Sequence, residues 1–286
     1  MGRLHGVCTA LVTPFKDGEV DLGRYWDLCR RQLDAGVHGL VPCGTTGETP
    51  VLSKTEWASL VRTAVEASGG TVPVIAGCGS NSTAATVESV RAARELGADA
   101  ALVVFPYYNK PNPQGMELHV RAVCAEGLPV VLYHVPGRTG QLLDAAQLEL
   151  LCRIPGVAGL KEATGDVALG QELLNRLDGS GVSLLSGDDF TFAPLAAMGF
   201  DGVISVLSNP APALTAEWLA AAQSGDINIL RQLRKRLLPA VSALFSATNP
   251  VPCKAAMHGM GLLENELRLP LSPQSDLDLS PFAGLR

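Results

Sequence analysis

The sequence predicts an α/β protein, a (β/α)8 TIM barrel with a C-terminal helical appendage. Three observations predict it. Eight short apolar runs alternate with helical patterns along the 286 residues. Their spacing is mostly about thirty residues, the length of one strand-plus-helix unit. The least ordinary polar motifs follow the apolar runs one after another, and the C-terminal ends of barrel strands are where such a fold collects its active-site side chains. The competing architecture is a doubly wound open sheet. It would carry a GxGxxG turn after its first strand; none is present, and the strand count closes at eight.

The apolar runs are residues 6–13, 39–42, 72–77, 100–105, 129–133, 157–161, 182–186 and 202–206. Each is short, continuous and bounded by Gly, Pro or polar residues, which reads as a buried strand. Between them lie helical patterns. Residues 22–35 form one. Residues 54–67 form another, opened by Ser53 and Glu56 as a capping box. Residues 83–96 run into Gly97, a helix C-cap residue. After the last strand come helical patterns at 211–223, 227–245 and 251–260. They exceed what a bare barrel requires, so the expected division is a catalytic barrel over 1–210 and a helical region over 211–286 with a packing or assembly role.

Composition narrows the function. The chain is 47% hydrophobic and 17% charged, with net charge -6 and a pI near 5.4, which argues against nucleic acid or an anionic membrane surface as partner. The basic run Arg231, Arg234, Lys235, Arg236 lies in a helical pattern and reads as a solvated face. Seven cysteines are scattered, with no CxxC pair, as expected of reduced thiols acting as small core residues. The five histidines show no HxH or HExxH, so metal catalysis has no sequence support. The N-terminus lacks a long apolar segment and no run reaches membrane-spanning length, which predicts a cytoplasmic protein.

Lys161 is the most informative residue. It ends the apolar run Val157-Ala158-Gly159-Leu160. A lysine there sits at the edge of a low-dielectric interior, where a charged ammonium is disfavoured and a neutral amine can attack a carbonyl to form a Schiff base. The same residue could instead pair with Glu162 or snorkel to the barrel mouth.

Four further segments end neighbouring strands. Gly44-Thr45-Thr46-Gly47-Glu48 combines close backbone approach with hydroxyls and N–H groups suited to a carboxylate; it could equally be a turn whose Thr46 or Thr49 caps the next helix. It lacks the GK[ST] ending of a P-loop. Pro106-Tyr107-Tyr108-Asn109-Lys110-Pro111 holds two of the four tyrosines, suited to proton relay or to packing under a loop. Tyr133 ends the fifth strand beside Lys161, and His134-Val135-Pro136-Gly137-Arg138 follows. Arg138 suits a substrate carboxylate, or a surface ion pair. His134 reads as structural or merely lining. Ser186-Gly187-Asp188-Asp189 offers paired carboxylates, with Asp189 favoured as a helix N-cap.

Together these segments resemble the dihydrodipicolinate synthase and N-acetylneuraminate lyase family of Schiff-base aldolases. The resemblance runs from Val12-Thr13-Pro14 to Arg268-Leu269-Pro270 and rests on the ordered set GTTGE, PYYNKP, YHVPGRTG, GLKEATG, SGDD and GVISV. It implies a barrel with a helical C-terminal domain, assembled as a homotetramer of two tight dimers. It implies that Lys161 forms a Schiff base with pyruvate, with a proton relay of Thr45, Tyr108 and Tyr133 in which Tyr108 reaches into the partner's site. Thr46 would hold the pyruvate carboxylate, Arg138 that of L-aspartate 4-semialdehyde, and Gly187 and Ile204 would line the pyruvate pocket. The implied product is 4-hydroxy-tetrahydrodipicolinate, and the implied mechanism needs no cofactor or metal. Another pyruvate-dependent aldolase acting on a keto acid or keto sugar is the alternative, and a non-catalytic carboxylate-binding barrel the remote one; Arg138 favours the synthase. The resemblance also places His134 where Asn is usual, with an effect on the second-substrate pocket, and Phe105 where Thr is common. Asn81 and Tyr107 fit the family's lysine-feedback site, whereas Lys54 and Trp57 replace histidines and Ala85 a glutamate, so weak or absent lysine inhibition is expected.

Overall fold

The computed structural model describes residues 2–285. Eight parallel strands are present: β1 (Gly6–Ala10), β2 (Gly39–Val41), β3 (Ile75–Gly77), β4 (Ala100–Val104), β5 (Val130–His134), β6 (Val157–Glu162), β7 (Ser183–Ser186) and β8 (Gly202–Ser205). Their order is β2-β1-β8-β7-β6-β5-β4-β3. An isolated parallel bridge from Leu40 to Val74 joins the two ends, so the sheet closes into a barrel. Each strand lies within the matching predicted run or within a residue of its end. The sequence reading missed a small hairpin, Phe15–Lys16 with Glu19–Val20, whose two-residue strands are too short to show an alternation.

Side chains alternate across the barrel wall. Cys8, Val41, Ile75, Leu102, Tyr133, Leu185 and Ile204 form an inner cluster. Val7, Leu40, Val103, Leu132, Leu160, Leu184 and Val203 pack outward under the helices. Leu132 and Leu160 are wholly buried, and each such side chain contributes about 1.5–3 kcal/mol. Because both strand faces are apolar, the strands read as continuous runs.

The connecting helices are α1 (Leu22–Asp34), α2 (Lys54–Ser68), α3 (Thr83–Glu95), α4 (Pro113–Cys124), α5 (Ala145–Cys152), α6 (Val167–Arg176) and α7 (Phe192–Met198). The predicted capping box forms: Ser53 accepts from the Glu56 N–H while Glu56 accepts from the Ser53 N–H. Asp144 and Gln147 make a second at α5. Gly97 follows α3 with φ +87°, a conformation that favours glycine.

Three more helices follow β8: α8 (Pro212–Ser224), α9 (Ile227–Leu244) and α10 (Val251–Gly259). Helix α8 packs on α7 and β1, so it is the eighth helix of the ring. Seven helices connect eight strands, and the last strand needs one of its own to cover it. We therefore place the division between barrel and appendage near Gly225, after α8, instead of at residue 210. In the appendage, α9 packs on α8, α10 and the C-terminal tail, and the segment between α9 and α10 reaches the ends of the strands. On the exposed face of α9, Arg236 donates to the Gly284 carbonyl (2.7 Å).

Candidate active site

A cavity of about 680 Å3 opens at the C-terminal ends of the strands. Strand register builds its floor. Tyr133 on β5 and Lys161 on β6 are register partners and both point inward. The Lys161 Nζ lies 4.2 Å from the centroid of the Tyr133 ring. Both side chains are buried, at 6% and 8% exposure. Glu162, next in the strand, turns outward, where its carboxylate faces His134 Nδ1 at 3.4 Å. The alternative Lys161–Glu162 pairing does not form, and Lys161 has no carboxylate partner among the described residues.

His134 is the outward residue after Tyr133. It is wholly buried, meets Phe105 edge-on, and accepts the Leu143 N–H at Nε2 (3.2 Å). An acceptor at Nε2 leaves the neutral ring's proton on Nδ1, toward Glu162. His134 is thus a structural tie behind the barrel wall, and its expected effect on the second-substrate pocket has no geometric basis.

Thr45 and Thr46 line one wall of the cavity. Neither caps a helix: the N-cap of α2 is Ser53, and Thr49 bonds back to the Cys43 and Gly44 carbonyls. Arg138, from a single helical turn, Pro136–Thr139, lines the same cavity. Gly187 lies directly over the lysine. A Cβ there would sit 2.7 Å from the Lys161 Cε and 2.6 Å from the Ala163 Cβ, closer than packed carbon atoms come. Glycine keeps the amine's approach open. Ile204 lies beneath the cavity, in the inner cluster with Tyr133, and contributes no surface to the lining.

Tyr108 is not brought to this cavity. It is 89% exposed, on a loop where its φ is +71° and that of Lys110 is +44°. Asn109 ties this loop to the Asn81 carbonyl (2.8 Å). In the nearby region expected for effector binding, Lys54 is paired with Glu88 (2.6 Å) and Trp57 donates to the Gly77 carbonyl (2.9 Å).

Asp189 is not a helix N-cap; Thr191 holds that position. Asp189 is buried, and its Oδ2 accepts the Val206 and Leu207 N–H groups (2.8 and 2.9 Å). It fixes the loop after β8 against β7. Burial raises its pKa against the pull of these donors and of Ser205. Asp188 lines the cavity and accepts from the Thr191 hydroxyl (2.6 Å).

Sequence reasoning missed the fourth wall. Phe245, Ala247, Thr248 and Asn249, between α9 and α10, also line the cavity. Asn249 Nδ2 donates to Thr46 Oγ1 (2.9 Å), and Arg138 donates to the Asn249 carbonyl (3.2 Å). Below them Glu48, with φ +56°, receives the Lys254 ammonium at 2.6 Å and the Arg268 N–H at 3.2 Å. Lys254 and Glu48 are wholly buried, and burial lowers the Lys254 pKa against the attraction of Glu48. A lone Lys in an amphipathic helix gives no sequence signal of burial; only pairing with a carboxylate 206 positions away explains it.

The remaining titratable groups belong to the core. All seven cysteines are buried and free. Burial pushes the Cys8, Cys29 and Cys152 thiols up to about 12, so none is primed as a nucleophile. Among the described residues no group of three or more His, Cys, Asp or Glu is placed to hold a metal ion, and no helix is long and apolar enough to cross a membrane.

The geometry is that of a buried amine over a phenol ring, without a carboxylate partner among the described residues, in a cavity lined also by threonine hydroxyls and a guanidinium. Comparison with known proteins places it. The dihydrodipicolinate synthetase family model matches residues 3–281. The 4-hydroxy-tetrahydrodipicolinate synthase of Thermomicrobium roseum is 47% identical over 271 residues, covering 94% of this chain and 89% of that one. Dihydrodipicolinate synthase from Thermotoga maritima superposes with a TM-score of 0.94 at 41% identity, covering 99% and 97% of the two chains. A chloride-inhibited dihydrodipicolinate synthase from Acinetobacter baumannii, solved with pyruvate, gives 0.94 at 39% identity over 99% and 97%. Matched in sequence and in fold over nearly its whole length, the chain belongs to the dihydrodipicolinate synthetase family.

Proposed function

We propose that this protein condenses pyruvate with L-aspartate 4-semialdehyde to 4-hydroxy-tetrahydrodipicolinate, the reaction named for its relatives, in lysine and diaminopimelate biosynthesis. One observation supports the reading: Lys161 is a buried amine without a carboxylate partner among the described residues, in a cavity that Thr46 and Arg138 also line.

The chemistry follows from those positions. The Lys161 Nζ attacks the ketone carbon of pyruvate, and loss of water gives an imine. The protonated imine draws electrons from the methyl carbon, which loses a proton and becomes an enamine. Tyr133 is the phenol nearest the amine and Thr45 lines the same wall, which suits them to passing these protons. The enamine carbon attacks the aldehyde carbon, whose oxygen takes a proton to become the hydroxyl. The substrate's amino group then attacks the imine carbon, closes the ring and expels Lys161. Thr46 holds the first carboxylate through its hydroxyl. Arg138, a fixed cation on a tight turn, holds the second. The roles of Tyr108 as a residue lent to a partner's site, of a homotetramer as the working assembly, and of the cytoplasm as its compartment belong to the same proposal; the exposure of Tyr108 in one chain supports the first.

Borohydride reduction with pyruvate, read by intact mass and peptide mapping, tests the reading. A single pyruvyl adduct on Lys161, diminished when the semialdehyde is supplied first, is the expected result. An adduct that the semialdehyde leaves untouched points to another pyruvate aldolase, and no adduct refutes the catalytic role of Lys161. Arg138→Ala should keep the adduct and lose the condensation.

A further inference from the structure

Asn249 stands outside every motif named so far and touches both proposed carboxylate ligands at once. Its side chain donates to Thr46 Oγ1 (2.9 Å) and its main-chain carbonyl accepts from Arg138 (3.2 Å). It lines the cavity and is 8% exposed. Its Oδ1 is buried with no hydrogen-bond partner, so the amide is not held in place by satisfying its own groups.

We propose that Asn249 is a positioning residue that sets the direction of the Thr46 hydroxyl and thereby tunes the site for the pyruvate carboxylate. This inference rests on the pyruvate reading above. A hydroxyl has one hydrogen to give. With Asn249 Nδ2 as donor, the Thr46 oxygen accepts on that side and its hydrogen is left for a ligand. Reversing the amide would turn that hydrogen onto Oδ1, and Thr46 would face a carboxylate with lone pairs. The contact spans 203 positions and joins the loop after β2 to the appendage, so the appendage takes part in substrate recognition instead of serving packing alone. Arg138 is held differently, by a backbone group that no side-chain change at position 249 removes.

That difference supplies the test. Asn249→Asp is nearly isosteric, but its carboxylate captures the Thr46 hydrogen and places a negative charge near the bound carboxylate. KM for pyruvate should rise at least about tenfold, the scale of a charge-assisted hydrogen bond. Asn249→Ala leaves the hydroxyl free to rotate and should raise it about three- to tenfold. In both variants KM for the semialdehyde should stay within about twofold, because the carbonyl that holds Arg138 remains. Melting temperatures are taken alongside, and Asn249→Ser carries the comparison if Asn249→Asp does not fold. An unchanged pyruvate KM in a folded variant overturns the proposal. So does a parallel rise in both KM values with a fall in melting temperature, which would make Asn249 a mere brace of the segment. Wild-type protein is treated with borohydride and pyruvate in the same series. If it forms no adduct, the pyruvate reading itself fails, an outcome separate from the failure of Asn249.

Discussion

Glu48 and Lys254 join the catalytic loop to the appendage through a pair with no access to water, and breaking it should be costly. The Lys254 Nζ lies 2.6 Å from Glu48 Oε1, and their side chains are 0% and 1% exposed. Glu48→Gln leaves a buried ammonium without a counter-charge. The neutral amide oxygen, the face of Phe15 4.3 Å from Nζ and the more distant Glu266 offset only part of the loss. Lys254→Met leaves a buried carboxylate with the Arg268 N–H as its one remaining donor. Removing one member of a buried pair costs about 3–5 kcal/mol. Taking about 2.1 cal/mol/K per residue for a chain of this length, that is a fall of roughly 5–8 °C in melting temperature. The double variant Glu48→Gln/Lys254→Met removes both charges. It should recover most of the loss, because a neutral pair pays no desolvation penalty. Differential scanning calorimetry of the four proteins measures this. Glu48→Gln within about 0.5 kcal/mol of wild type, or a double variant as unstable as the two singles added, would refute the coupling. Glu48 follows Thr46 by two residues and holds a left-handed backbone, so the single variants should also raise pyruvate KM while Lys161 remains trappable by borohydride.

Other consequences are accessible to similar measurements. Gly187→Ala puts a methyl group against the Lys161 side chain, so kcat should fall by at least about tenfold with little change in melting temperature; unaltered kinetics would mean that the lysine does not occupy that space during turnover. The Arg268 guanidinium, followed by the Ser53 groups, holds the Glu56 carboxyl at about 2, below its ordinary 4.5. A depressed carboxylate contributes stability above pH 4.5 that is lost as pH falls toward 2. The stability gap between wild type and Arg268→Gln, measured by urea unfolding, should therefore narrow across that interval; a constant gap would assign the contact no ionic part. Free L-lysine should inhibit weakly or not at all, because Lys54 adds a cation, Glu88 is already engaged by it, and Ala85 supplies no carboxylate. Half-inhibition at submillimolar lysine would refute this.

The barrel was legible because its strands are buried on both faces. Such strands stay apolar throughout, and eight of them separated by capped helices admit few alternatives. What the sequence left open were residues whose meaning depends on which way a strand turns them. His134 and Glu162 follow Tyr133 and Lys161 in two adjacent strands and share their register, so they meet each other behind the wall while the tyrosine and lysine meet in front of it. Asp189 resembles a cap because it precedes a helix, yet its bonds go sideways to β8. Helix α8 looked supernumerary because a count along the chain does not show that the last strand needs a covering helix.

The site was legible only where it is made of strand ends. Alternation alone places Tyr133 beside Lys161, and the chemistry of an inward lysine does the rest. The wall from the appendage obeys no such rule. Its contacts run from Asn249 to Thr46 and Arg138, and from Lys254 and Arg268 to Glu48, over separations of 111 to 220 residues. Each is a polar group that would be unremarked on a surface and becomes informative only when buried opposite its partner. A cavity whose threonine is bonded by a residue 203 positions away cannot be separated from that segment, so residues 247–249 belong to its lining as fully as Thr45 and Thr46 of the GTTGE loop.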